Sequence, residues 1–325
     1  IKVGSDQHEK QLCHFHRIIN IAKPFFTIIL VTIICLYIHK HGVDDCQKTI
    51  ALADYKAYNG KWEEVLEAVD DYPYYDFYLN MSFNRAHLNL GTLNQKAFHY
   101  PQLLGVEALL PDRTLAGQIA IPASDFYYDL GYIAASLVYA GEIQTLLPYS
   151  PRVLKRLFMI HLIKGQYQAA ETYLNTLSQN FLSRKFAAHY QPYLTDTTLI
   201  INDQEIMHKR SIMPKGQLVE GSPDGKLQGL IRTNPKNEKA RDYLMIYHLL
   251  NHNLAAFVKL LVKEVEMGAT SIPRAWEEGL LVFVAAGGQV DPALKSIQVN
   301  PETIDEFKRF STIIIDNSDN RERAK

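Results

Sequence analysis

Two stretches of this chain share one layout, and that layout restricts the fold more than any other feature. Residues 52–69 read LADYKAYNGKWEEVLEAV and residues 157–174 read LFMIHLIKGQYQAAETYL. In each, two apolar-periodic segments flank a glycine, Gly60 or Gly165, and an aromatic, Trp62 or Tyr167, follows two residues later. A glycine there can take the positive φ that ends one helix before the next begins. Aligning the glycines sets Trp62 on Tyr167, Val65 on Ala170 and Val69 on Leu174. Residues three and seven beyond the aromatic share its face of the second helix, so the ring can wedge between antiparallel helices. Within this frame Glu63 and Glu64 diverge by about 100° around the helix axis and cannot face one substrate together. With Glu67 they form a solvated face, and Trp276-Glu277-Glu278 invites the same reading.

Weaker copies occur at 88–98 (LNLGTLNQKAF), 138–146 (VYAGEIQTL), 247–260 (YHLLNHNLAAFVKL) and 283–289 (FVAAGGQ), and Pro73, Pro101, Pro148 and Pro301 close units. The pattern resembles tetratricopeptide-like repeats through Gly60, Trp62, Val65 and Pro73, and through Gly165, Tyr167 and Ala170. The resemblance implies an all-α chain, an irregular array of antiparallel helix pairs forming a TPR-like α-solenoid, with helical lobes at 45–205 and 236–310. Between them, 206–235 mixes Pro, Gly, Lys and Asp without periodicity and predicts a loop or linker. The polar end, 311–325, predicts a frayed tail.

Near the start, Pro24 to Ile38 carries no charge, and extending back to Ile18 gives the length of a bilayer-spanning helix. The segment 18–40 therefore predicts a transmembrane helix, with Lys23 lifting its ammonium to the interface. Lys2, Lys10, Arg17 and Lys23 precede the span and Lys40 and Lys48 follow it. The positive-inside bias then sets 1–17 as a cytoplasmic flank and the remainder outside. The anchor and the tyrosine-rich stretch YPYYDFYLNMSFNRAHLNLG also resemble the extracytoplasmic C-terminal part of an uncharacterised family of multi-pass membrane proteins of Bacteroides-type bacteria. That resemblance implies a bacterial inner-membrane protein with most of the chain periplasmic. A first residue of Ile1 rather than Met predicts that the chain belongs to a longer one.

The formal net charge of −1, with charged residues at 21%, supplies no global basic field for nucleic acid. Cys13, Cys35 and Cys46 form no zinc spacing. His248 and His252 lie four apart, a spacing that can share a metal, but no third ligand accompanies them. Nucleotide-loop and nucleophile-elbow signatures are absent. No cofactor or metal site is expected, and no enzyme activity. Tyrosines cluster at Tyr72–Tyr78 and Tyr127–Tyr132. Aromatics with a polar tip suit helix packing and also a partner surface, on which Tyr74, Tyr75 and Tyr128 are the candidate contacts. The expected function is a membrane-anchored scaffold or protein/peptide-binding module on the extracytoplasmic side. The second reading is the soluble extension of a multi-pass membrane enzyme or transporter whose active part precedes Ile1.

Overall fold

The computed structural model describes residues 23–38, 42, 44–110, 120–214 and 222–323. The described residues form two compact units, one within Ile1–Leu52 and one within Ala53–Lys325. Structured elements among the described residues are helical.

In the first unit, α1 covers residues 23–38. Its apolar side chains, Phe25 and Phe26 to Ile38, are exposed. The transmembrane expectation for 18–40 does not hold: among the described residues no helix is long and apolar enough to cross a membrane. At 1.5 Å per residue α1 extends about 24 Å, short of a hydrocarbon core of about 30 Å. Ile18 to Ala22, which supplied the extra length, lie outside the described residues, as does the flank 1–17. The inner-membrane localisation, the periplasmic orientation and the membrane as a partner rested on that span and fall with it.

The second unit is a succession of helices in which neighbours in sequence pack together: α3 (Trp62–Asp70) on α4 (Phe77–Leu90), α6 (Ala120–Asp129) on α7 (Ile133–Leu146), and α8 (Pro151–Ile163) on α9 (Tyr167–Gln179). α2 (Asp45–Tyr58) precedes them and α5 (Leu93–Lys96) follows α4. The predicted turns are visible at Gly60, Gly91 and Gly165, each at a φ near +70°. Trp62 and Tyr167 are half-buried, and Val65, Val69, Ala170 and Leu174 are buried. Glu63 and Glu67 are exposed and Glu64 pairs with Lys56 and Lys61, so the acidic face of α3 is solvated.

Other expectations move. Gly141 lies inside α7 rather than in a turn, and the α6–α7 turn belongs to Gly131. Glu277 is buried and accepts from the Asn300 backbone N–H at 3.0 Å and the Thr303 hydroxyl at 2.7 Å. It thereby secures the start of α17 (Pro301–Arg323), a helix that occupies most of the tail expected to be frayed. Pro301 opens that helix, where its missing N–H would be unpaired anyway.

The window 206–235 contains most of α12 (Gln204–Ile212) and all of α13 (Pro223–Thr233). Local capping explains both: Asp203 accepts from the Ile206 N–H at 3.0 Å, and Pro223 starts α13 at a position that suits its fixed φ. Beyond it come α14 (Glu238–Leu250), α15 (Leu254–Glu266) and α16 (Arg274–Ala285), again packed in sequence. α14 and α16 also return to pack on α5. The larger core accordingly draws Leu88, Phe126 and Tyr139 together with Tyr243, Phe257 and Trp276, on either side of 206–235. A second core around Phe158, Leu174 and Ile206 joins α8 and α9 to α10 (Arg184–Tyr190), α11 (Thr197–Asn202) and α12.

The Asp242 carboxyl opposes folding at neutral pH. Burial pushes Asp242 of α14 from 3.8 up to about 6, against the opposing pull of the Asn94 hydrogen bond and Arg241. A carboxyl raised in the folded state stabilises fully below its unfolded pKa, and that contribution is lost as pH rises through the folded value. Its window is therefore about pH 4 to 7, with a ceiling of roughly 3 kcal/mol reduced by residual solvent screening. Asp242→Asn is expected to raise the melting temperature at pH 7 and flatten its pH dependence across that window. An unchanged slope in thermal unfolding would refute the assignment.

Candidate functional site

The three tyrosines expected at a partner surface do not share one. Tyr74 is 70% exposed in the α3–α4 connection, and its ring meets Tyr72 edge-on at 5.7 Å. Tyr75 is half-buried, donates to Asn80 Oδ1 at 3.2 Å and lies 5.9 Å from the Tyr100 ring. Tyr128 on α6 is 3% exposed. It donates to Glu205 Oε1 at 2.7 Å, with the Arg156 guanidinium 3.7 Å from its ring centroid and the Lys209 ammonium at 4.7 Å. As folded, Tyr128 is a packing residue of a charged centre and offers no partner surface.

That centre is built on α6. Asp125 accepts at Oδ2 from Arg152 Nη2 at 2.6 Å and at Oδ1 from Arg156 Nη2 at 2.7 Å. Asp129, one turn later, accepts from Arg85 Nε at 2.7 Å and Asn89 Nδ2 at 3.1 Å. Arg152 reaches on to Asp54 Oδ1 at 2.9 Å. Burial pushes the Asp125 carboxyl up, but Arg156, Arg85 and Arg152 together hold it well below the carboxylate range. Asp129 is lowered in the same way, with Arg85 and Lys209 outweighing burial. A cleft of about 280 Å³ opens beside the centre, lined by Tyr58, Arg152, Lys155, Phe186 and Tyr190 among others. Its guanidiniums, Arg152 and Arg156, are already committed to carboxylates, which leaves Lys155, 5.1 Å from the Phe186 ring centroid, as the single lining cation without a carboxylate partner among the described residues.

A larger groove of about 550 Å³ lies between α13, α14 and α15. Each helix contributes one stripe at helical spacing: Gln228, Ile231 and Arg232 from α13; Arg241, Leu244 and His248 from α14; Ala256, Lys259, Leu260, Lys263 and Glu264 from α15. α14 packs on both neighbours and so forms the floor, with α13 and α15 as walls. Leu244 is buried on the floor, while Arg232, Lys259 and Lys263 are exposed at the rim. Arg241 Nε stands 3.4 Å from Glu264 Oε1, an ion pair without hydrogen-bond geometry. Burial raises the Glu264 carboxyl, partly offset by Arg241.

His248 sits on the floor at 4% exposure, and its Nδ1 has no hydrogen-bond partner among the described residues. Burial lowers its pKa, partly offset by Asp224, so the ring is neutral near pH 7. An unpaired buried polar atom costs about 1–3 kcal/mol, and this one is closed off from the groove, so the cost falls on the fold. The metal alternative for this residue gains nothing: His252 lies in the α14–α15 turn at φ 54°, and among the described residues no group of three metal-type side chains gathers. In sequence His248 stands out for its spacing to His252, whereas its place on the groove floor is set by Arg241 and Leu244 on the same stripe.

A family model matches residues 8–325, and the chain belongs to that family, a family of unknown function (DUF6057). No curated protein and no solved structure matches the chain.

Proposed function

We propose that this family member is a helical-repeat binding module that receives a polypeptide partner in the groove of α13, α14 and α15, acting as a scaffold rather than a catalyst. The reading is carried by the groove itself: about 550 Å³ in extent, with Ile231, Leu244 and Leu260 in its lining, walled by consecutive helices and open along one side. Repeat arrays bind along such concave faces, and a floor with two helical walls is the geometry into which an extended or helical segment can lie. Small-molecule sites usually bury most of their ligand, which an open channel does not favour.

Site-specific photo-crosslinking tests this. Met267 lines the groove and is 58% exposed, so a benzophenone side chain there is tolerated by the fold. It is expected to capture one discrete polypeptide in the native host, while the same probe at Leu182, 82% exposed and away from the groove lining, does not. Equal labelling at both positions, or none at Met267, overturns the groove as the binding surface.

A further inference from the structure

Three features could carry a further role: the cleft beside Asp125, the exposed apolar face of α17 and the rim of the groove. The cleft's guanidiniums are engaged by Asp54 and Asp125. On α17, Phe310, Ile313 and Ile314 are exposed, but nothing in the structure indicates what covers them. The rim of the groove says more.

We infer that the partner received by the groove is an acidic amphipathic helix, its apolar face on Ile231, Leu244 and Leu260 and its carboxylates against Arg232, Lys259 and Lys263. This rests on the binding-module reading and adds the chemical class of the partner. Of the charged residues lining the groove, four are basic, Arg232, Arg241, Lys259 and Lys263, and one is acidic, Glu264. Arg241 and Glu264 face each other, leaving three exposed basic groups with no carboxylate of the described residues within salt-bridge distance. The net −1 charge of the whole chain makes this local excess a property of the site rather than of a basic protein.

The spacing matches a helix. Lys259 and Lys263 stand one turn apart on α15, about 6 Å along its axis, which is the repeat of i and i+4 carboxylates on a helix lying alongside. Arg232 rises from the opposite wall, so both edges of an inserted helix meet a cation. Between them the groove presents the apolar side chains Ile231, Leu244 and Leu260, on which the apolar face of the helix can lie. An acyl-chain carboxylate would also match charge and apolarity. It would use one cation and leave the other two uncompensated, whereas a helix engages all three.

The test uses the full chain and three helix-stapled peptides of about 14 residues, identical on the apolar face and carrying Glu, Gln or Lys on the flanks. In fluorescence anisotropy at low salt, the Glu peptide is expected to bind about tenfold tighter than the Gln peptide, with the Lys peptide weakest, as three rim pairs of modest strength imply. Salt is expected to erase most of the difference. Lys259→Glu combined with Lys263→Glu, both exposed positions, is expected to invert the order in favour of the Lys peptide; that gain shows the variant folded. Equal binding of Glu and Gln peptides overturns the acidic partner while leaving the binding module standing. Binding by none of the three overturns both. Dodecanoate that binds more tightly than the Glu peptide and displaces it, or a dimer that the Lys259/Lys263 variant loses, would name a different occupant and overturn the inference.

Discussion

Asp125→Asn is expected to lower the unfolding free energy by about 3–5 kcal/mol, the cost of leaving buried guanidiniums without their counter-charge. The substitution keeps the shape of the side chain, so the loss reports charge. Asp125 is 3% exposed and accepts through both oxygens, Oδ1 from Arg156 and Oδ2 from Arg152, while Arg85 Nη1 stands 3.9 Å away. An asparagine can accept from one guanidinium only; its amide would turn donors toward the other. The comparison is Arg274→Ala. Arg274 pairs with Glu278 and Glu306 where all three side chains are 40% exposed or more, and exposed pairs contribute no more than about 1 kcal/mol. Urea-unfolding midpoints of the two variants decide the matter: comparable shifts would show that Asp125 is not the centre's counter-charge.

The pH dependence follows from the same geometry. Asp125 and Asp129 are both depressed in the folded protein by neighbouring Arg and Lys side chains that outweigh burial. A depressed carboxyl contributes stability above its unfolded pKa of about 3.9 and loses it as pH falls through the folded value. Acid unfolding below about pH 4 is thus assigned to this centre, in a window distinct from that of Asp242. The Asn variant is expected to show a shallower acid limb.

How much of this is legible in the sequence depends on the range of the interaction. The helix pairs are legible because their signals are local: a positive-φ glycine, an aromatic two residues on and apolar positions at helical spacing. Gly60 with Trp62 and Gly165 with Tyr167 carry all three. Where only part of the signal exists, the reading slips. Gly141 follows an apolar segment just as a turn glycine does, but it is not among the glycines at positive φ and α7 runs through it. The charged centre is invisible because Asp54, Arg85, Asp125 and Arg152 come from four helices, the first and last 98 residues apart. Tyr128 stands out in sequence through its aromatic cluster, yet its burial follows from Arg156, Lys209 and Glu205, none adjacent in sequence. The groove is hidden for the same reason. Its basic excess is diluted in a nearly neutral composition and emerges only when stripes from α13, α14 and α15 are brought side by side. The apolar run at 18–40 misleads in the other direction: composition and length favour a span, while the described helix covers 23–38 alone and is too short to cross.

The α6–α7 turn yields the second large effect. Gly131→Ala is expected to destabilise by about 2–5 kcal/mol, combining left-handed strain of about 1–2 kcal/mol with overpacking of about 1–3 kcal/mol. Gly131 has φ +75°, and a Cβ there would come within 2.5 Å of Ile212 Cγ1. Ile212 cannot simply withdraw, because α12 is held against the end of α6: Lys209 donates to the Tyr128 carbonyl at 2.7 Å and to that of Asp129 at 3.2 Å. Asn237 donates to the Leu130 carbonyl at 2.9 Å, so the last carbonyls of α6 are satisfied by side chains from later in the chain. Gly165→Ala isolates the backbone contribution, since its φ is +73° but nothing lies within 4 Å of the added carbon. The difference between the two variants therefore measures the seating of α12 on α6. A double-mutant cycle separates it further: Ile212→Ala opens the space that the methyl group added by Gly131→Ala needs, so the double variant should be more stable than the sum of the single losses predicts. Additive losses would mean that Ile212 does not press on the turn, and that α12 is held by Lys209 and Asn237 alone.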